Sequence, residues 1–464
     1  MSKSFGVNFL VAVLLLAGIA LFLQRGVLRT FDPAINMDAR LVAMGAHVWL
    51  RGENPYDPQA VAKTWADLGE PAQRNPGARG RAAMVYPLGT YALTSGIGAL
   101  PVNFWRPVWN TLNVILFLVT IWLVMSVSDI APRSRAGVAF VGSALLMAPS
   151  HTNIALGQTG VLVCFAIVLA QWQWLRGNAR SAGLASGIAL ILKPQSAAAF
   201  FVYDLLSRRT WMVIMAILSF GTLMAIGLGA MMIRGINPIP DWLLNIADLA
   251  KVAANPFAAE TPPYQLINVG ALLHRFIGPD AQLFASVFGL LICLVIAFLY
   301  VLASRRARTS ATDKQVILCD LSITAVLSLI LTYHRIYDAV VLLLPLALVF
   351  VQRAAGDRRW WITLALLLPF FFPIASYVNI LQVQYAIMPQ ALYENRWFVL
   401  LLMHQNWFLL LLSGWLIMLR RRPAGSVEFH SPNEVDGSSP APSRRSVFMA
   451  TYTGTPATNK PTPQ

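Results

Sequence analysis

Charged residues are scarce in this chain, at 12% of its 464 residues. A typical soluble domain has about a quarter of its residues charged and about half of them apolar. Here 57% are hydrophobic, an excess that an ordinary core cannot bury, so the composition excludes a soluble globular protein and predicts a membrane protein. Cysteine is scarce too: Cys164, Cys293 and Cys319 lie inside apolar runs, which indicates neither a disulfide framework nor a thiolate zinc site.

The apolar runs have the length that a membrane span requires. A helix of about 20 residues crosses a ~30 Å hydrocarbon layer, so we predict an all-α, polytopic transmembrane helix bundle of roughly 10–12 spans. The first run precedes no small-residue cleavage site, which predicts a span and not a signal peptide. The full spans predicted are residues 5–23, 104–127, 136–150, 159–175, 211–233, 283–303, 316–333, 336–352, 359–374 and 398–419.

Three shorter apolar pieces predict re-entrant or surface helices on the extracytoplasmic side. Residues 86–100 are too short to cross alone, and residues 182–192 and 196–206 predict a hairpin of two short helices that meet at Lys193-Pro194. Irregular backbone at membrane depth is tolerated only where it lines a cavity or is buried in protein. These pieces therefore indicate where a cavity would be built.

The net charge is +15, and the basic residues stand at the ends of the apolar runs. Basic residues in these positions set the orientation of a membrane protein, so the pattern favours that role over nucleic-acid binding. An inside N-terminus puts most short-loop Lys and Arg residues on the cytoplasmic side, as the positive-inside rule requires. The predicted first outer loop is also basic, which is contrary to the rule. The rule applies only weakly to a segment of that length. We predict a transmembrane domain over residues 1–420, with outer loops at 31–85 and 234–282, and a disordered cytoplasmic tail over residues 421–464.

Some polar residues neither belong to ordinary loops nor anchor the ends of spans. Almost all of these lie on the predicted outer side. Lys193 stands at the hairpin tip, where an unpaired cation in lipid costs about 2.5–3.5 kcal/mol or more, so it either binds an anion or extends to the interface. Asp38 lies on an amphipathic stretch, where a carboxylate is more often solvated than a general base. The turn at residues 52–58 is a cluster of helix breakers that needs no function.

His334 and Asp338 are four residues apart, so they share a face if a helix begins at or before His334. They indicate either a site at the outer mouth of two spans or a structural salt bridge or end cap. Gln158 could bind a ligand or satisfy backbone groups at a helix start. A metal site built from His151, His274 and His334 has no recognisable spacing. No cofactor is therefore predicted, and the sequence leaves a divalent metal open.

Several elements follow one another along the chain in a distinctive order: Asp38 fourteen residues before Gly52–Pro58, Tyr86-Pro87, Trp109 with Asn113, Asn153–Gln158, Gly183–Pro194, and Tyr-His-x-x-Tyr-Asp at 333–338 before Leu-Leu-Pro. Their order and spacing resemble those of glycosyltransferase family 87, a membrane family of the GT-C superfamily that includes polyprenyl-phosphate-mannose-dependent mannosyltransferases. Two features depart from the family pattern: Leu88 stands where a second proline is common, and nothing beyond residue 375 aligns.

The resemblance implies an inverting hexosyltransferase, by preference a mannosyltransferase, in a bacterial plasma (inner) membrane. Its partners would be a polyprenyl-phosphate sugar donor, a glycolipid or glycan acceptor and membrane lipid. Asp38 matches the position of the general base, with Asp32 as its competitor. The residues expected to contact the donor phosphate are Lys193, His334, Arg335 and Arg81, and those expected to contact the sugar or acceptor are Gln158, Asp338, Tyr86 and His274.

The alternative from another class is a secondary transporter or a lipid-linked sugar flippase. Such proteins also combine ten or more spans, broken helices and an intramembrane cation. Inverted-repeat transporters usually have paired halves with matching interruptions, and this sequence has none. Its ionisable residues also gather on one predicted face and not near the midplane, which favours the transferase.

Overall fold

The computed structural model describes residues 3–32, 37–69, 84–254, 266–277, 282–306, 314–332, 334–374, 378 and 395–421. Within these ranges the chain is almost wholly helical, which confirms the predicted fold class. The predicted C-terminal tail lies outside them except for its first residue, Arg421, which ends the last helix. The helices are α1 (Lys3–Leu21), α2 (Met37–Arg51), α3 (Pro58–Asp67), α4 (Leu88–Leu93), α5 (Ser95–Gly98), α6 (Val102–Val127), α7 (Arg135–Leu146), α8 (Ala148–Leu156), α9 (Gly160–Leu175), α10 (Ala179–Leu192), α11 (Pro194–Leu206), α12 (Thr210–Met232), α13 (Ile239–Ala254), α14 (Val269–Ile277), α15 (Gln282–Arg306), α16 (Lys314–Leu331), α17 (Leu343–Ala354), α18 (Trp360–Leu367), α19 (Arg396–Leu402) and α20 (His404–Arg421).

Six helical segments of the described chain are long and apolar enough to cross a membrane. They are Phe5–Phe31, Val102–Val127, Thr210–Met232, Phe284–Ser304, Lys314–Leu331 and Ile336–Ala354. The other four predicted spans are shorter or broken.

The physical reasons for the shortening are local. α7 ends at Leu146 because Pro149 belongs to the first turn of the next helix, and α9 and the Trp360–Phe370 segment are short apolar helices. The predicted span 398–419 is divided at Met403, where the polar run His404-Gln405-Asn406 begins α20.

The predicted hairpin at Lys193 is present. α10 ends at Leu192, and Pro194 starts α11, a position where the missing N–H and fixed φ of proline suit a helix start. α10 packs closely on α12: a Cβ added at Gly183 would lie 2.4 Å from the Met212 carbonyl oxygen. Small residues therefore permit the close backbone approach that anchors the hairpin.

Different helices form the buried core and the exposed periphery of the bundle. α16 and α17 are largely buried, whereas α1, α12 and α15 expose apolar side chains along most of their length. Leu10, Ile217 and Phe298 are each more than half exposed. Apolar side chains exposed on spanning helices are the surface that a bilayer solvates, so these three helices form the lipid-facing rim.

A two-stranded antiparallel sheet links two distant parts of the chain. β1 (Leu266–Ile267) pairs with β2 (His334–Arg335), with Leu266 opposite Arg335 and Ile267 opposite His334. The buried Asn406 amide holds β1 from α20: its Nδ2 donates to the Leu266 carbonyl at 2.8 Å, and its Oδ1 accepts from the Asn268 N–H at 2.6 Å. Residues 266–268 are thus fixed beside His334.

Candidate functional site

Lys193 lies at the junction of α10 and α11 and is buried. Its ammonium donates to Asp338 Oδ1 and stands 5.3 Å from the centre of the Tyr337 ring. A buried cation is stabilised only if an anion or hydrogen-bond acceptors replace its water. The carboxylate of Asp338 supplies that compensation, so Lys193 does not simply extend to the interface.

Asp338 is the centre of a small buried network. Its Oδ2 lies 3.0 Å from His334 Nδ1 and accepts from the Arg335 N–H at 3.4 Å. On the other side of the ring, His334 Nε2 lies 3.0 Å from Thr332 Oγ1. The predicted contact of His334 with Asp338 is therefore present. Its geometry differs, because His334 is on β2 and Asp338 is in the first turn of a 3-10 helix, Ile336–Leu342, whose start it also caps.

Tyr86 connects this network with Asp38. Burial, followed by the negative charge of Asp38, raises the pKa of the Tyr86 phenol well above its usual value, and Asp338 adds a smaller contribution of the same sign. Coulomb interactions weaken with distance, so both carboxylates lie within electrostatic range of the phenol. Asp38, half-buried in the first turn of α2, is thus at the same end of the bundle as Lys193, His334 and Asp338.

The Gly52–Pro58 turn holds Tyr86 in place. The Tyr56 hydroxyl donates to the Tyr86 carbonyl at 2.6 Å, and Asp57 caps α3. From α13, Asn245 Nδ2 donates to the carbonyls of Tyr56 and Met84 at 3.0 and 2.9 Å. The turn therefore has a scaffolding role, and α13 packs onto it.

The Asn153–Gln158 segment supports the backbone beside Asp338. Asn153 Nδ2 donates to the Tyr337 carbonyl at 3.0 Å, and its Oδ1 accepts from the Val161 N–H at 3.3 Å. Gly157 has φ +66° and ends α8, and its carbonyl accepts from Trp109 Nε1 at 2.7 Å. The Gln158 side chain is buried at the start of the next helix.

The remaining predicted site residues have separate locations. Arg335 is half-buried on β2, and His274 is buried on α14, which follows β1. Arg81 and Tyr333 lie outside the described residues. His151 is buried in α8, where burial and the charge of Arg25 lower its pKa to about 4.

Groups of three or more His, Cys, Asp or Glu side chains that could hold a metal ion do not occur among the described residues. Sequence reasoning missed Thr332, Asn245 and Asn406. Each is a polar residue within or beside an apolar run, and the polar run His404-Gln405-Asn406 inside a predicted span was the clearest signal among them.

These features define a multi-pass membrane protein with a buried polar network and a nearby carboxylate at one end of the bundle. A model of glycosyltransferase family 87 matches residues 84–333, which is more than half of the 464-residue chain. The chain therefore belongs to glycosyltransferase family 87 and is a membrane glycosyltransferase. No curated protein and no solved structure matches it.

Proposed function

We propose that this protein transfers a hexosyl group from a polyprenyl-phosphate sugar to a glycolipid or glycan acceptor on the extracytoplasmic side of the membrane. Among hexosyl groups we propose mannosyl. The observation that supports this most is the contact of Lys193 and His334 with Asp338, together with a second carboxylate, Asp38, whose charge acts on the same Tyr86 phenol as that of Asp338. Such a site offers cationic and polar groups for a phosphate and a separate carboxylate for a proton.

In the proposed reaction Asp38 is the general base. It takes the proton of the acceptor hydroxyl while the hydroxyl oxygen bonds to the anomeric carbon from the face opposite the phosphate. The bond from the anomeric carbon to the phosphate oxygen breaks, and its electron pair leaves with the polyprenyl phosphate. The configuration at the anomeric carbon is therefore inverted.

The leaving phosphate gains negative charge, and positioned cations stabilise such charge in a site with little water. We propose Lys193 as the main contact of the phosphate. His334 and Arg335 are the next candidates. Asp338 has a positioning role: it holds the ammonium and the imidazole in place before the donor binds. Gln158, Tyr86 and His274 are proposed to contact sugar or acceptor. None of these steps requires a cofactor.

A lipid-linked donor is also consistent with the fold. The polyprenyl tail stays in lipid while its phosphate reaches the site, which requires an opening between helices toward the bilayer. Lys193 is buried at the junction of α10 and α11, which supports a phosphate site between helices. A transporter or flippase would leave the base-like position of Asp38 and the family assignment unexplained.

The test is a transfer assay with purified full-length protein in lipid. Radiolabelled polyprenyl-phosphate mannose, polyprenyl-phosphate glucose and the corresponding nucleotide sugars are each incubated with a membrane lipid extract. We expect a labelled product from a polyprenyl-phosphate sugar and none from the nucleotide sugars. Transfer from nucleotide sugars alone, or the absence of product from every polyprenyl-phosphate sugar, would contradict the proposal.

A further inference from the structure

Both ring nitrogens of His334 already have partners. Nδ1 lies 3.0 Å from Asp338 Oδ2, and Nε2 lies 3.0 Å from Thr332 Oγ1. The two nitrogens are the only polar atoms of an imidazole, and the His334 side chain is 0% exposed. A phosphate therefore cannot contact His334 directly unless one of these two contacts is first broken.

The contact with Asp338 decides where the proton at Nδ1 lies. The Lys193 ammonium is paired with Asp338 Oδ1, and a buried cation is stable only beside an ionised partner of this kind. An ionised carboxylate accepts hydrogen bonds and donates none, so Asp338 Oδ2 accepts from a proton on His334 Nδ1. The neutral and the protonated ring therefore differ only at Nε2, the nitrogen that faces Thr332.

Thr332 is more accessible than the histidine behind it. It directly follows α16 and is half-buried. Its Oγ1 also lies 3.5 Å from the Gln195 carbonyl oxygen, so the hydroxyl is beside the start of α11, two residues after Lys193. At that distance the carbonyl is a weak acceptor for the hydroxyl proton, and a phosphate oxygen would be a stronger one.

A threonine hydroxyl has one proton to donate, and the charge of His334 decides where that proton points. When the ring is neutral, Nε2 is an acceptor and takes the Thr332 proton. When the ring is an imidazolium, Nε2–H donates to Thr332 Oγ1, and the hydroxyl proton points away from the ring. Only the imidazolium form therefore leaves Thr332 able to donate to a ligand.

We propose that the Thr332 hydroxyl donates to the phosphate of the lipid-linked sugar and that His334 is a positioning residue that acts through Thr332. This inference rests on the proposed transferase function, and it gives Thr332 the contact for which His334 is a candidate. The imidazolium orients the hydroxyl and adds a positive charge one hydrogen bond from the phosphate, where negative charge grows as the sugar leaves.

The surroundings of the ring limit which other groups respond to pH. The charged groups of the network are Asp338, Lys193 and Arg335, and both residues of β1, the strand paired with His334, are apolar. Tyr86 senses Asp338, but burial and the charge of Asp38 raise the pKa of its phenol, so it stays neutral near pH 7. Histidine is the side chain that ordinarily changes charge in this range.

The first test compares Thr332→Val with Thr332→Ser in full-length protein in lipid, with the donor identified by the transfer assay. Valine keeps the shape of threonine without its hydroxyl, so the donor KM should rise about 10- to 100-fold. The acceptor KM should change little. Serine keeps the hydroxyl, so its donor KM should stay close to that of the wild type. Equal donor KM values in the two variants would contradict the inference.

The pH dependence separates this role from a merely structural one. In the wild type the donor KM should rise from about pH 5 to about pH 9, because His334 loses the proton at Nε2 and then takes that of Thr332. In Thr332→Val the donor KM should be high throughout and depend less on pH. A wild-type donor KM that does not change with pH would overturn the inference, even if the valine variant fails to fold.

The matched control is Thr324→Val in the same helix. The Thr324 hydroxyl is buried and donates to the Asp320 carbonyl of its own helix at 2.8 Å, so its loss should leave both KM values and their pH dependence unchanged. A donor KM raised as much as in Thr332→Val would contradict a specific contact. Absence of transfer in the wild type would instead contradict the proposed function, so the two failures are distinguishable. A monodisperse elution profile checks that the variants fold.

Discussion

The role of Asp38 as general base is tested most simply by removing its ability to take the proton of the acceptor hydroxyl. Asp38→Asn keeps the shape of the side chain in the first turn of α2 but cannot take a proton, so we expect transfer to fall about 100- to 10,000-fold. The protein should remain folded and inserted, because Asp38 is only half-buried. The measurement is initial rate with the donor identified by the assay panel.

Asp32→Asn provides the control for this variant. Asp32 is also half-buried and precedes α2, so it tests the competing assignment of the base with the same chemical change. Undiminished turnover in Asp38→Asn, together with loss in Asp32→Asn, would transfer the role to Asp32.

Lys193 is expected to act on the donor and not on the acceptor. Hydrogen bonds to charged groups contribute about 1.5–3 kcal/mol, so Lys193→Ala should raise the donor KM about 10- to 100-fold. The acceptor KM should change little. Because removal of one partner leaves the other charge buried, the variant is measured beside Lys193→Arg, which keeps the charge. Equal changes in both KM values would instead indicate a merely structural lysine.

Spacing along the chain predicted one contact of this site and missed the other. His334 and Asp338 are four residues apart, so any local helical or turn geometry brings them near each other. Lys193 and Asp338 are 145 residues apart, and only the packing of α11 against α16 and the 3-10 segment decides their pairing. The sequence identified Lys193 as a cation that needs an anion. No local spacing relates Lys193 to Asp338, so the sequence alone did not identify Asp338 as its partner.

At the scale of elements, the break at Lys193-Pro194 was predicted, whereas the break before Pro149 and the break at Met403 were not. The junction of α10 and α11 follows from Lys193-Pro194, because proline cannot continue a helix interior. The interruption between α19 and α20 has no proline. It coincides with the contacts of Asn406 to β1, which depend on a strand of two residues that no periodicity could reveal.

Asn406 should stabilise β1 and, through it, the strand that carries His334. Asn406→Ala leaves the Leu266 carbonyl and the Asn268 N–H without their partner, at about 1–3 kcal/mol for each group left buried. We expect faster hydrogen–deuterium exchange in peptides covering residues 266–277 and 334–342. Transfer should decrease with it.

Asn395→Ala is the matched control for the element. Asn395 is exposed and caps α19 by accepting from the N–H groups of Trp397 and Phe398, so its loss should raise exchange only in α19. Unchanged exchange at residues 334–342 in Asn406→Ala would mean that β1 does not hold His334.

At the scale of the whole molecule, the surface divides into an apolar rim and two polar ends. Exposed side chains of α1, α12 and α15 face lipid, one end carries the site network, and the other carries the salt bridges of Arg209, Lys314 and Arg420. The sequence predicted the polytopic helix bundle, because long apolar runs are the direct requirement of a bilayer. Six of the ten predicted spans are long and apolar enough to cross a membrane in the described chain, and the other four are shorter or divided there.

The orientation of the bundle can be tested because Cys164, Cys293 and Cys319 are all buried and should give little background labelling. Single cysteines are introduced at Gln59, exposed on α3 near the site, and at Arg358, exposed at the other end. With the N-terminus in the cytoplasm, a membrane-impermeant maleimide should label Gln59→Cys in intact cells and Arg358→Cys only after permeabilisation. The reverse pattern would put the Lys193 network at the cytoplasmic surface, where the donor would have to be drawn from the inner leaflet and the extracytoplasmic part of the proposal would fail.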